Sequence, residues 1–187
     1  MANNTVFWSS NLRSVHFAER IFDAVCLDEN IENGTFGYLE EQVDSHIYKF
    51  VKGFKVGQPV FVAHNPEWNY DDSRLTSQAK RNFVIEAGVP FRAFGLHKLD
   101  EFGISIDGIT PATQSVAKET TDFMANDVYL TIDETTGKLV ASTTSNPDAV
   151  MEARIMRKYI TGNTLVTPLR TYGLDSAIYE AKINVLA

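Results

Sequence analysis

Apolar residues in this chain come in short runs, and turn-forming residues cut in before any run becomes long. The stretch Val60-Phe61-Val62-Ala63 is among the longest at four residues, bounded by Pro59 and by Asn65-Pro66. A membrane-spanning helix needs about 20 apolar residues, so runs of this length do not provide one. Short apolar segments recurring about every 8–12 residues, with Gly, Pro or Asn between them, are the pattern of an antiparallel β-barrel or sandwich. A four-residue run without polar interruption reads as a strand buried on both faces.

The remaining segments fit that reading. Asn33-Gly34 suits the positive-φ positions of a tight hairpin turn, with residues 36–39 as the returning strand. Ile47 and Phe50 stand between polar neighbours, and Gly53, Gly57 and Pro59 then break the chain. Residues 91–96 and 102–106 are two further apolar strands. Residues 128–132 and 138–142 flank Asp133-Glu134-Thr135-Thr136-Gly137, a hairpin loop with glycine near its end. Residues 178–185 alternate apolar and polar side chains. Residues 150–160 read either as a long strand or as a helix started by Asn146-Pro147-Asp148, and residues 14–26 lean to extended structure. Residues 110–126 read as a long connection.

One helix is expected, at about residues 73–87. Ser73 would cap its first turn, Leu75, Ala79 and Phe83 would line one face, and Gly88 with Pro90 would end it. The expected fold is therefore mainly β, barrel- or sandwich-like antiparallel sheets with one added helix, in a single domain over residues 1–187. Residues 1–12 are a possible extended arm.

With 187 residues the chain can bury a core without disulfide or metal. Its single cysteine, Cys26, lies in the apolar setting Ala24-Val25-Cys26-Leu27 and reads as a small buried hydrophobe. The 24 acidic and 17 basic residues give a net charge of −7, which argues against general nucleic-acid binding. The start, Met1-Ala2-Asn3-Asn4-Thr5, has no basic n-region or apolar stretch, so synthesis and folding in the cytoplasm are expected, with no membrane partner.

The search for chemistry returns little. Gly34-Thr35-Phe36-Gly37 lacks the basic residue and following helix of a phosphate loop. His16, His46, His64 and His97 are scattered, and neighbouring acids such as Asp100-Glu101 point to opposite faces of an extended chain. No catalytic, cofactor or metal site is expected. If a small enzyme were hidden here, Arg92, His97 and Asp100 would be its first suspects. Phe7, Trp8, Trp68 and Tyr70 are instead candidate interface residues, because exposed aromatics anchor protein interfaces.

Glu86-Ala87-Gly88-Val89-Pro90-Phe91-Arg92-Ala93-Phe94-Gly95-Leu96, followed by Asp100-Glu101-Phe102-Gly103-Ile104-Ser105, resembles a pattern in auxiliary capsid proteins of tailed bacteriophages, the decoration or cement proteins. Ile31-Glu32-Asn33-Gly34, Lys55-Val56-Gly57-Gln58-Pro59-Val60 and Gly137-Lys138-Leu139 share the likeness, which spans about residues 28–142. The resemblance implies a non-enzymatic virion protein that binds the capsid exterior and stabilises the lattice. Its partner would be the major capsid protein, with a possible homo-oligomer and no cofactor. The alternatives are another virion surface module, such as a fibre or receptor-contacting component, the small enzyme, and a cytoplasmic regulatory or ligand-binding barrel.

Overall fold

The computed structural model describes residues 5, 7–8, 21–65, 83–119, 127–160 and 177–186. Their order is β1 (Phe7–Trp8), β2 (Ile21–Val25), β3 (Phe36–Asp44), β4 (Ile47–Lys52), β5 (Phe61–His64), β6 (Phe91–Gly95), β7 (Glu101–Ser105), α1 (Gln114–Glu119), β8 (Tyr129–Ile132), β9 (Leu139–Ser142), β10 (Met151–Ile160) and β11 (Ala177–Leu186). Strands dominate, as expected. β2, β4, β3, β5 and β6 close into a barrel in that order, and β1, β7, β11, β10, β8 and β9 form a six-stranded sheet. Every pairing is antiparallel except β2 with β4.

The barrel and the sheet share β5 and β6 as a common wall. Phe61 and Ala63 join Ala24, Phe50, Phe91 and Ala93 inside the barrel. Val60 and Val62, on the alternate positions, join Phe94 and Leu96 in the larger core with Phe102, Ile104 and Leu130 of the sheet. The period of two thus sends one set of side chains into each core, and this is why residues 60–63 carry no polar residue. Ring pairs knit both cores. Phe50 meets Phe91 edge-on at 5.3 Å inside the barrel, and Phe36 meets Phe102 at 5.5 Å between barrel and sheet. Each fully buried phenylalanine contributes roughly 1.5–3 kcal/mol.

Residues 150–160 resolve as strand. β10 pairs with β11 over their full lengths, and Met151, Ala153 and Ile155 pack with Tyr179, Ala181 and Ile183 in the larger core. Met156, on the alternate face, is 45% exposed, and a register shift falls between Ile155 and Arg157, which is exposed where strict alternation would point it at the core. Asn146-Pro147-Asp148 forms a turn before the strand. Asn146 and Ser145 donate their backbone N–H and hydroxyl to the buried Glu152 carboxylate.

Helix placement differs from the sequence reading. Of the helix expected at about residues 73–87, residues 73–82 lie outside the described residues, and residues 83–87 are not helical: Ile85 forms a β-bridge and Ala87 begins a turn. Ile85 exchanges both backbone hydrogen bonds with Ile31, at 2.9 and 2.8 Å, and plugs the barrel at 2% exposure. The β-branched pair Val84-Ile85 suits that bridge. Gly88 is left-handed as expected, at φ 77°, but in a turn and not at a helix end. The described α-helix is α1, within the stretch read as a connection. It is too short to show a helical period, and Ala117 is its fully buried contact with the core.

The turn at Asn33-Gly34 forms, with Thr35 N–H donating to the Glu32 carbonyl at 3.2 Å and Gly34 at φ 80°. It does not join two paired strands: Ile31 bridges to Ile85, whereas β3 pairs with β4 and β5. The Asp133–Gly137 loop is a hairpin as expected, and it also seals barrel to sheet. Gly137 accepts from Phe36 N–H at 2.8 Å, and a Cβ on Gly53 would lie 1.9 Å from the Glu134 carbonyl oxygen. At the free edge of β9, Thr110 N–H donates to Leu139 and Ala141 N–H to the Thr113 hydroxyl, so the segment before α1 covers that edge.

Candidate functional site

The aromatic interface candidates separate on inspection. Phe7 is core: it is 2% exposed, with its ring 6.1 Å from that of Phe102 and 6.2 Å from that of His64. It faces its own chain because a slot between barrel and sheet accepts a whole phenyl ring. Trp8 pairs with Gly103, and Trp68 and Tyr70 lie outside the described residues. Thr5, within the possible arm, is tied down as well. The Thr5 N–H and hydroxyl both donate to Glu32 Oε2, at 2.8 and 2.6 Å.

Arg92, His97 and Asp100 are not drawn into one site. Arg92 is exposed on β6 opposite Asp23 and His64. At about 3.3 Å per residue, the extended path from position 92 to position 96 carries the chain roughly 13 Å away from it. Asp100 accepts the His97 backbone N–H on Oδ2 at 2.8 Å, closing a turn in which Leu99 takes φ 76°. That carboxylate therefore shapes the link between β6 and β7. Among the described residues, no three His, Cys, Asp or Glu side chains group as metal ligands. Cys26 is a buried free thiol in the barrel core.

Two shallow clefts flank β3 and β4. One, of about 250 Å³, runs past Asp28, Glu29, Glu40, Lys49 and Lys52, and both of its lysines are paired: Lys52 with Glu29 at 2.7 Å and Lys49 with Glu40 at 3.6 Å. The other, of about 360 Å³, lies between β3 and the loop before β5, lined by Tyr38, Leu39, Glu40, Glu41, Lys55 and Gln58. Burial, and then the nearby Glu40 carboxylate, push the Tyr38 hydroxyl above its ordinary pKa. The Lys55 ammonium sits 5.8 Å from the Tyr38 ring centre.

The exposed apolar side chains are more informative. Leu27 is 48% exposed and Val89 40% exposed, on adjacent turns at one rim of the barrel. Hydrogen bonds tie the two segments together. Gly88 N–H donates to the Cys26 carbonyl at 2.8 Å, Ala87 N–H to the Asn30 side chain at 2.9 Å, and Ile31 and Ile85 bridge below. Asp28, Glu29 and Glu86, exposed as well, lie within three residues of one or the other along the chain. The sequence reading missed this patch, since Leu27 ends an apolar run and looks like core. The signal present was the abrupt change to Asp28-Glu29-Asn30.

No family model matches the chain, and neither does any curated protein or solved structure. No described helix is long and apolar enough to cross a membrane.

Proposed function

We propose that the chain is a non-enzymatic structural protein of a tailed-phage virion, which binds the outside of the capsid and stiffens its lattice. The observation that carries the reading is the exposure of Leu27 and Val89, two apolar side chains on hydrogen-bonded neighbouring segments whose sequence neighbours Asp28, Glu29 and Glu86 are exposed acids. An apolar centre with a charged rim is how protein interfaces are built. The likeness of residues 28–142 to decoration proteins supports the choice of partner, the major capsid protein.

The patch is small beside the roughly 1,600 Å² of a standard interface, so one copy holds weakly. Many copies on a repeating lattice add their contacts, and multivalency supplies the missing affinity. The acidic neighbours select a basic partner surface and repel nucleic acid.

Purified protein is mixed separately with empty heads and with host cells, then sedimented. Cosedimentation with heads alone is the expected result. Binding to cells alone would make the chain a receptor-contacting component, and binding to neither would end the virion reading.

A further inference from the structure

β5 stops pairing with β3 for a definable reason. Phe36 faces Val62 and Gly37 faces Phe61, so the same register continued would place Tyr38 opposite Val60 and then Leu39 opposite Pro59. Proline carries no N–H and cannot donate to a ladder. The Thr35 carbonyl, two residues before Gly37, accepts from Ala63 N–H at 2.9 Å, which sets the odd-numbered groups of this strand towards β5. By that alternation the Leu39 backbone points at the place where β5 has ended. The chain leaves there through a turn in which Gln58 N–H donates to the Lys55 carbonyl at 3.0 Å, opening the cleft beside β3.

β3 nevertheless runs on to Asp44, paired along that stretch with β4 alone among the described strands. Residues 40–46 are exposed. Two register shifts, between Leu39 and Gln42 and between Gln42 and Asp44, twist the hairpin. Glu40, Glu41 and Asp44 line the extension. Glu40 pairs with Lys49, but neither Glu41 nor Asp44 has a cationic partner among the described residues. Two such edges brought together would set like charges side by side, which disfavours a second copy as occupant. The same charges favour a basic strand.

We propose that the open edge of β3, from Leu39 to Val43, receives an extended segment of a partner protein that bears lysine or arginine on alternate positions. The segment adds beside β3 where Pro59 ends the pairing of β5, with backbone hydrogen bonds to the edge and its cations beside Glu41 and Asp44. This goes beyond the capsid reading and does not depend on it, because the edge is defined whatever protein supplies the segment.

The test uses the full chain and a fluorescent peptide of alternating lysine and valine, about seven residues long, a common strand length. A second peptide has the same sequence with N-methylated backbone, which keeps the charges and removes the donors. The first binds, slows amide exchange at residues 39–43, and loses about tenfold in affinity on a Glu41→Lys, Asp44→Lys variant, as expected for reversing two rim charges. The second binds at least about tenfold more weakly, since strand addition rests on main-chain bonds. Both substituted side chains are exposed, and the milder Glu41→Gln, Asp44→Asn variant gives a smaller loss in the same direction. Absence of binding by the first peptide, equal binding by both, or protection elsewhere would overturn the proposal. So would concentration-dependent self-association with protection at the same edge. A failure with heads leaves these outcomes untouched, so the two readings fail separately.

Discussion

Glu32 and Lys138 are 106 positions apart, and the Lys138 ammonium lies 3.1 Å from each oxygen of the Glu32 carboxylate. Around this pair the Thr5 N–H and hydroxyl donate to Glu32, and Lys138 also donates to the Asp107 carbonyl at 3.2 Å. One half-buried carboxylate thus joins the N-terminal strand, the barrel and the β8–β9 hairpin. Glu32→Ala strands a cation and two donors at once, and should lower unfolding free energy by about 1–3 kcal/mol. Urea denaturation measures it; a change below about 0.5 kcal/mol, ordinary for surface sites, would show that the node is ornamental.

Phe102 is fully buried between the rings of Phe36 and Phe7. Phe102→Ala should cost about 3–5 kcal/mol through the cavity it leaves. Val56, 81% exposed, is the control: Val56→Ala should stay within about 0.5 kcal/mol. Thermal unfolding followed by circular dichroism separates the two.

Gly53 and Gly57 both take positive φ, 91° and 80°. A Cβ at Gly57 meets nothing within 4 Å, so Gly57→Ala carries the left-handed strain alone, about 1–2 kcal/mol. At Gly53 the same atom would collide with the Glu134 backbone, so Gly53→Ala should cost distinctly more and loosen the barrel from the sheet. Equal losses would mean that the contact yields freely.

Tyr179 is buried, 1% exposed, and burial raises its hydroxyl above the ordinary value of 10.0. The folded chain therefore favours the neutral phenol. That contribution is complete below pH about 10 and disappears as pH climbs through the raised folded value. Tyr179→Phe should flatten the alkaline loss of stability while the wild type falls away. Parallel alkaline curves for both proteins would contradict this.

What could be read from sequence followed from local rules. Residues 60–63 announced a doubly buried strand because nothing polar interrupts them, and the alternation at residues 178–185 places Tyr179, Ala181 and Ile183 in the larger core, although Glu180 between them is buried too. The Asp133–Gly137 loop was legible from its glycine. The parallel contact of β2 with β4 was not, because it joins segments whose local patterns say nothing of each other. Ile85 was drawn into an expected helix by its neighbours, whereas its bridge to Ile31 is set by closure of the barrel. The same limit applies to the candidate surface. An apolar side chain does not reveal whether a pocket waits for it: Phe7 has one and Leu27 does not.

The decisive measurement is cosedimentation of a Leu27→Asp, Val89→Asp variant with empty heads. Both side chains are exposed, so the far-ultraviolet circular dichroism should match that of the unmodified chain. The unmodified protein should pellet with heads and the variant should stay in the supernatant. A variant that pellets as fully as the unmodified chain would show that this rim does not hold the capsid.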